Sequence, residues 1–469
     1  MSRVLLVNPP VQASHMYGPM RAVAGGIVPP LGLCHIASEA RKSGHNVAIL
    51  DTAALNLELK EAAQRIKNFK PDIIGFTATT NAVSSAAKIA QTASELFPDA
   101  FYVLGGPHIS AVPIATMEKY AIFNAGVIGE GEETFVSLLK ALESGDDLQQ
   151  VSGLVLRTSG GIKLTQTRPL IRNLDSLAMP AWDLLEGFPK IYRPAAMDHL
   201  REPATILLTS RGCPRHCIFC DRSVFGGQYR FFSSDYILKM VEHLHARYHI
   251  CDIDFTDDNF LVDRERFNEL TDKLFASKIS LSWGCSARVD DVDQEIIQKA
   301  HSAGCWQIGY GIESGSNKIL KKLGKNITTE QIKNALKMTA DAGIQTKGFF
   351  MLGNPGETEE DLRQTMDLTL TSKLHHFLPL FFTPLPGSAY FPRATQEGEF
   401  IADWDKMILS EPVFIPHGMT RENLLSAEKT MVKKFYSSPR VVLHHLGMLR
   451  HRGYARMLLR GFLAMRGYA

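Results

Sequence analysis

Cys213-Pro214-Arg215-His216-Cys217-Ile218-Phe219-Cys220 sets three cysteines in C-x3-C-x2-C spacing, just after a strand-like run, Thr205-Ile206-Leu207-Leu208-Thr209-Ser210. Thiolates this close can hold one soft-metal site but cannot complete four-coordination. A structural zinc site recruits a fourth ligand, usually from paired C-x2-C units. A [4Fe–4S] cluster also takes four ligands, so three cysteines leave one iron open. Of the seven cysteines, the other four (Cys34, Cys251, Cys285, Cys305) stand singly among apolar neighbours and read as core or site-lining residues. With no secretory leader in view, the thiols are expected to stay reduced in the cytoplasm, which favours metal over disulfide.

Around this motif, 469 residues with 45% hydrophobic content allow two or three domains with sizeable cores. A net charge of +2 gives no reason to expect nucleic acid. No apolar run reaches the roughly 18–20 residues of a membrane helix. Met1-Ser2-Arg3-Val4-Leu5-Leu6-Val7-Asn8-Pro9-Pro10 reads as a first β-strand rather than a signal peptide. From Ser437 to Ala469 there are six Arg and three His and no acid, interleaved with Leu, Met and Val. That tail reads as a helix with a solvated basic face, or as an amphipathic surface for anionic lipid or a lipid-like substrate.

Residues 1–145 alternate strand-like runs (Val4–Val7, Val47–Leu50, Ile73–Thr77, Phe101–Leu104, Ala125–Ile128) with helical ones (Leu31–Ser43, Leu57–Asn68, Ala82–Phe97, Glu133–Leu142). That alternation predicts an α/β doubly wound parallel sheet, with ligands at the strand carboxyl ends. The ends carry Asn8-Pro9-Pro10, Thr77-Ala78-Thr79-Thr80, Gly105-Gly106-Pro107-His108 and Gly129-Glu130-Gly131-Glu132, where glycine admits close backbone approach. The Gly129-x-Gly131 pair lacks the third glycine and first-strand position of a nicotinamide fingerprint. Residues 146–200 read as a linker, with a hairpin around Thr158-Ser159-Gly160-Gly161. From 201 to 395 six more strands are expected: Thr205–Leu208, Asp252–Thr256, Ser280–Cys285, Gln307–Ile312, Gln345–Leu352 and Phe377–Phe382. Residues 396–469 read as a helical, basic region.

The cysteine spacing, with an aromatic residue (Phe219) before the third cysteine, resembles the radical S-adenosylmethionine (SAM) enzymes. The resemblance implies a partial (β/α)6 barrel and makes Cys213, Cys217 and Cys220 the ligands of a [4Fe–4S] cluster. Its open iron would chelate SAM, cleaved reductively to methionine and a 5′-deoxyadenosyl radical. On the same basis Phe219, Asp257 (preferred over Asp258), Arg288, Glu313, Ser314 and Gly353 are SAM-site candidates. Arg288 could clamp the methionine carboxylate or pair with Asp290 or Asp291. Glu313 lies in Gly311-Ile312-Glu313-Ser314-Gly315, which looks like the family's G-x-E-S-G motif. Glu357 is read as the start of the next helix.

The N-terminal motifs, with Pro29-Pro30-Leu31-Gly32-Leu33, resemble the Rossmann-like cobalamin-binding domain that precedes the barrel in one subfamily. The resemblance implies a cobalamin site at Asn8, Pro9, Thr77, Gly105, Gly106, Pro107, His108, Gly129, Glu130 and Gly131. His15 lacks the aspartate of the D-x-H-x-x-G pattern and is read as a loop residue, not a cobalt ligand.

The implied function is methylation of an unactivated carbon; the alternative is anaerobic oxidative cyclisation or rearrangement, as in the porphyrin-ester cyclases. A methylthiotransferase would need three further N-terminal cysteines where only Cys34 stands. The non-catalytic rival is a metal-stabilised module binding anionic lipid or nucleic acid through its tail. The enzyme reading implies a reducing partner such as flavodoxin or ferredoxin. Trp306, Phe381, Phe382, Tyr390 and Phe391 suggest either a bulky, lipid-like substrate or barrel core.

Overall fold

The computed structural model describes residues 1–10, 26–195, 197–450 and 454. The loop around His15 and most of the tail beyond Arg450 lie outside the described residues. The N-terminal half holds β1 (Arg3–Asn8), α1 (Leu31–Lys42), β2 (Asn46–Asp51), α2 (Leu59–Phe69), β3 (Ile73–Thr77), α3 (Val83–Leu96), β4 (Phe101–Gly105), α4 (Pro107–Ala111), α5 (Pro113–Lys119), β5 (Ala125–Val127) and α6 (Gly131–Ser144). These five strands pair in parallel in the order β2-β1-β3-β4-β5. Their apolar runs are buried on both faces, as helix-covered parallel strands require. The order reverses at β1, so the crevice beyond the carboxyl ends of β1 and β3 is the natural ligand position.

The hairpin assigned to the linker belongs instead to this sheet. β6 (Leu154–Thr158) pairs antiparallel with β5, and β7 (Gly161–Leu164) with β6. Leu154, Val155 and Leu156 are buried, and the hairpin covers an edge that β5 would otherwise expose. The sheet therefore runs past residue 145. The remaining connection carries Trp182 and Tyr192, both buried, into an apolar core continuous from α1 and α6 to the second half.

That second half contains β8 (Ala204–Leu207), the short ladder β9 (Ser210–Arg211) with β10 (Arg230–Phe231), α7 (Ser234–Tyr248), β11 (Asp252–Phe255), α8 (Arg264–Ala276), β12 (Ser282–Ala287), α9 (Gln294–Ser302), β13 (Cys305–Glu313), α10 (Asn317–Lys322), α11 (Thr329–Asp341), β14 (Gln345–Leu352), α12 (Glu359–Thr371) and β15 (His376–Phe381). Its six long strands run parallel in the order β8-β11-β12-β13-β14-β15, a curled half-barrel.

The C-terminal region is not wholly helical. It opens with α13 (Ala394–Glu397) and the antiparallel pair β16 (Gly398–Phe400) and β17 (Phe414–Pro416), followed by α14 (Arg421–Tyr436) and α15 (Pro439–Gly447). Among the described residues no helix is long and apolar enough to cross a membrane. The aromatic residues considered for a bulky substrate are mostly core. Phe381, Phe382 and Tyr390 are buried, and Phe382 meets Tyr390 edge-on at 5.0 Å.

Candidate active site at the facing strand ends

The cysteines lie on the loop between β9 and β10, whose paired residues Arg211 and Arg230 close its base. Ile218 N–H donates to the Leu323 carbonyl at 3.0 Å, and Ile218 O accepts from Tyr390 N–H at 3.0 Å. Both bonds pin the loop to the barrel. Cys213 and Cys217 are half-buried and Cys220 is exposed. A hydrogen bond from Cys220, then the charges of Lys325 and Arg288, draw the Cys217 thiol down to about 6 against the effect of burial. Such an electropositive setting favours thiolate donors. Among the described residues no three Cys, His, Asp or Glu side chains converge on one point as around a single ion. Three cysteines on one loop leave one iron of a [4Fe–4S] cluster without a protein ligand, whereas a structural zinc site takes four.

Above this loop stand Arg288 and Glu313. Arg288 Nη1 approaches Cys217 Sγ at 3.9 Å, while Nε and Nη2 bind Asp290 at 2.8 and 3.0 Å and Nη2 also meets the Lys325 carbonyl at 2.6 Å. The Asp290 pairing offered by the sequence is thus made, beside the cysteines. Glu313, at a register shift in β13, adopts φ +68° and accepts from Lys325 Nζ at 2.8 Å. A glutamate at positive φ is uncommon and concentrates at functional sites. Lys325 Nζ also lies 5.9 Å from the Phe219 ring.

The other SAM candidates are engaged elsewhere. Ser314 is fully buried, its Oγ accepting from Ser316 N–H at 3.1 Å. Gly353 N–H donates to Glu357 Oε2 at 2.7 Å. Glu357 therefore braces the loop rather than starting α12, which begins after the capping residue Thr358. Burial raises its carboxyl to about 7 against the pull of its donors.

Packing treats the neighbouring acids Asp257 and Asp258 differently. Asp257 is buried, accepting from Thr209 N–H and Oγ1 and from Ser210 N–H, and pairs with Arg266 at 3.6 Å. Asp258 opens into the cavity described next, its carboxyl raised by burial and then by Asp257.

That cavity, of about 340 Å³, is walled by the strand ends of both sheets and by the segment from Asp221 to Gly226, just after the third cysteine. Thr77, Gly105, Gly106, Pro107, Gly129, Glu130 and Gly131 line it on one side. Leu208, Arg211, Asp221, Arg222, Phe225 and Asp258 face them. Much of the first wall is bare backbone. Gly129 has φ +75°, and a Cβ there or at Gly105 would meet nothing closer than 3.7 Å, so both leave room for a bulky ligand. Gly106 is tighter: a Cβ would come within 2.9 Å of the Ala78 backbone.

Three of the proposed cobalamin residues lie apart from this wall. Asn8 spends its amide on Asp51 at 2.9 Å, and Pro9 is buried behind it. His108 is fully buried, bonded to Thr80 at 3.2 Å, with its ring 4.4 Å from Trp404. Burial, and secondly Lys119, lower its pKa to about 4, so it is a neutral core residue.

The group least expected from sequence joins the two halves. Glu130 accepts from Arg211 Nη1 at 2.7 Å, from Arg230 Nη1 at 2.8 Å and from Ile171 N–H at 2.8 Å. Arg211 Nη2 bonds Glu132 at 2.5 Å, and its guanidinium lies 5.3 Å from the Phe225 ring. The arginines flanking the cysteine loop therefore share one carboxylate of the first domain. Glu130 has its acceptor capacity committed to protein.

Comparison with known proteins places these features in context. Residues 207–369 match the radical SAM superfamily, and residues 17–139 match the B12 binding domain. The uncharacterized methyltransferase PH0819 of Pyrococcus horikoshii is 32% identical over 98% of each chain. The anaerobic magnesium-protoporphyrin IX monomethyl ester cyclase of Rubrivivax gelatinosus is 27% identical over 92% of this chain and 77% of its own. The radical S-adenosylmethionine methyltransferase TsrM of Kitasatospora setae, solved with cobalamin and a [4Fe–4S] cluster, shares the fold with a TM-score of 0.72. That likeness covers 95% of this chain and 90% of TsrM, at 19% identity.

Proposed function

The chain belongs to the radical SAM superfamily, in the branch with a B12 binding domain, and we propose that it methylates an unactivated carbon of a small molecule. Its cofactors are a [4Fe–4S] cluster, SAM and cobalamin. One observation carries the reading: a single cavity has the glycine-lined strand ends as one wall and, as the other, Arg211 and the segment from Asp221 to Gly226 that directly follows Cys220. Bound there, the cofactors supply reductive cleavage of SAM and a carrier for its methyl group.

The protein's part is to bind, orient and exclude water. Cys213, Cys217 and Cys220 would supply the cluster's thiolates, that of Cys217 steadied by Lys325 and Arg288. Glu313 and Lys325 form a buried ion pair over that loop, suited to the amino and carboxylate groups of SAM. Gly105 and Gly129 leave space for the corrin, and Asp258 offers the cavity a carboxyl for a polar substrate group.

A flavodoxin- or ferredoxin-like donor would supply the electrons, and thiols as open as Cys220 suit the reducing cytoplasm. The exposed Leu443 and Leu446 of α15 favour, of the two readings of the tail, an amphipathic surface for anionic lipid. Ring closure is the second reading, supported by the cyclase relative.

Product analysis separates the two readings. Reduced protein is incubated anaerobically with methyl-deuterated SAM and a small-molecule extract. Methylation yields S-adenosylhomocysteine together with 5′-deoxyadenosine, and the label on a carbon of the product. Cyclisation yields 5′-deoxyadenosine with neither S-adenosylhomocysteine nor label transfer, and would overturn the reading.

A further inference from the structure

The chain just after α10 backs directly onto the cysteine loop. Ile218 N–H donates to the Leu323 carbonyl at 3.0 Å. A Cβ at Gly324 would meet the His216 carbonyl oxygen at 3.1 Å and the Cys217 Cα at 3.8 Å. Pro214, His216 and Cys220 of the loop are exposed, and so are Lys318, Lys321 and Lys322 of α10. None of these six residues lines the cavity.

On this face the cations lie outward and their counter-ions inward. Lys318 Nζ reaches Asp361 at 2.5 Å, the two side chains being 57% and 5% exposed. Lys322 Nζ reaches Glu397 at 3.1 Å, 44% against 29%. Arg215, within the cysteine loop, binds Asp291 at 2.5 Å, 40% against 11%. Lys321 has no partner among the described residues. The pairs cancel at a distance, but at contact range an approaching protein meets the cations first.

We propose that this face docks a small acidic one-electron carrier protein of the flavodoxin type. Acidic chemistry matches the outward cations, and such complementarity steers encounter and fixes orientation. An electron carrier matches their place, because electron transfer falls steeply with distance and the Leu323–Gly324 backbone touches that of the cysteine loop. One electron leaves the carrier's flavin hydroquinone and enters the [4Fe–4S] cluster, which is reduced by one; no bond is made or broken and no proton moves. The proposal rests on the cluster occupying this loop.

The test is anaerobic stopped-flow reduction of the cluster-loaded protein by fully reduced flavodoxin, with dithionite as a small reductant for the endpoint. In wild type the rate with flavodoxin should fall as salt rises, since the screening length shrinks to about 3 Å at 1 M. Lys321→Glu with Lys322→Gln should slow it about tenfold at low salt, the lower end of electrostatic steering, and converge on wild type at high salt. Lys321→Arg with Lys322→Arg should keep the wild-type rate. Lys60→Glu with Lys239→Gln, an equal change of net charge on α2 and α7, should change it little. All variants should keep full iron and bleach completely with dithionite.

A rate unaffected by the Lys321→Glu, Lys322→Gln exchange, or lowered equally by the exchange on α2 and α7, would overturn the docking face and leave the cluster in place. Wild type that bleaches with dithionite but not with flavodoxin would also overturn it. If iron is missing and dithionite bleaches nothing, the cluster reading fails, and the docking face with it.

Discussion

Glu130 and Arg211, far apart in sequence, meet as a buried ion pair at 2.7 Å, joining the turn after β5 to the stem of the cysteine loop. Arg230, the other stem residue, binds the same carboxylate. The clasp ties the stem of the cysteine loop to the turn after β5, on the glycine-lined wall. Removing one partner of a buried pair costs about 3–5 kcal/mol, because the other is left uncompensated. Glu130→Ala is expected to lose that much in denaturant unfolding, while Glu130→Leu with Arg230→Met recovers most of it. A loss below about 1 kcal/mol in the single variant, the range of exposed pairs, would contradict a buried clasp.

The cluster assignment is checked by iron content. Cys213→Ala, Cys217→Ala and Cys220→Ala should each lose most of the roughly four irons of a [4Fe–4S] cluster. Cys251→Ser, at the opposite end of the half-barrel strands, should keep them all. Full iron in any of the first three would remove that residue from the donor set.

Glu313 is held at φ +68° against Lys325, a conformation that packing must enforce. Glu313→Gln keeps the shape and removes the charge. SAM affinity by equilibrium dialysis should fall about tenfold or more, the scale of a hydrogen bond to a charged group, with iron content unchanged. Unaltered affinity would leave Glu313 a structural role only.

Much of this arrangement was legible in the sequence, for physical reasons. Strands such as Ile73–Thr77 are buried on both faces and so read as unbroken apolar runs. The glycines announce close backbone approach. The β6–β7 hairpin was misassigned because a two-stranded unit reads the same whether it stands alone or extends a sheet. The short helices α4 and α5 each begin at a proline and carry too few residues to show a period. Asp257 and Asp258 lie in the loop after β11, and sequence alone does not say which of the two faces the cavity. The clasp was illegible because its partners lie 81 and 100 residues apart.

Four histidines fasten α15 to the half-barrel. His375 stacks on His444 at 3.9 Å, His376 meets His445 edge-on at 5.2 Å, and His445 bonds Tyr454 at 2.6 Å. Burial first, then neighbouring His charges with Arg440, Lys373 and Lys347, lowers His375 to about 3, His376 well down and His445 to about 4. Their folded pKa values lie below the ordinary 6.5 or so. The stability they contribute is therefore present above that pH and lost as pH falls toward 4. Amide exchange in α15, corrected for intrinsic rate, should accelerate at pH 5 relative to pH 7 more than in α7. Equal protection at both pH values would contradict this docking.

The central claim is that one cavity brings the corrin wall and the cysteine loop face to face. The most direct measurement is anomalous scattering at the cobalt and iron edges from crystals of anaerobically purified holoenzyme. The account predicts a cobalt peak in the space bounded by Gly105, Gly129 and Arg211, and iron within the loop of Cys213, Cys217 and Cys220. Cobalt outside that cavity, or a filled cluster with no cobalt in fully reconstituted protein, would contradict it.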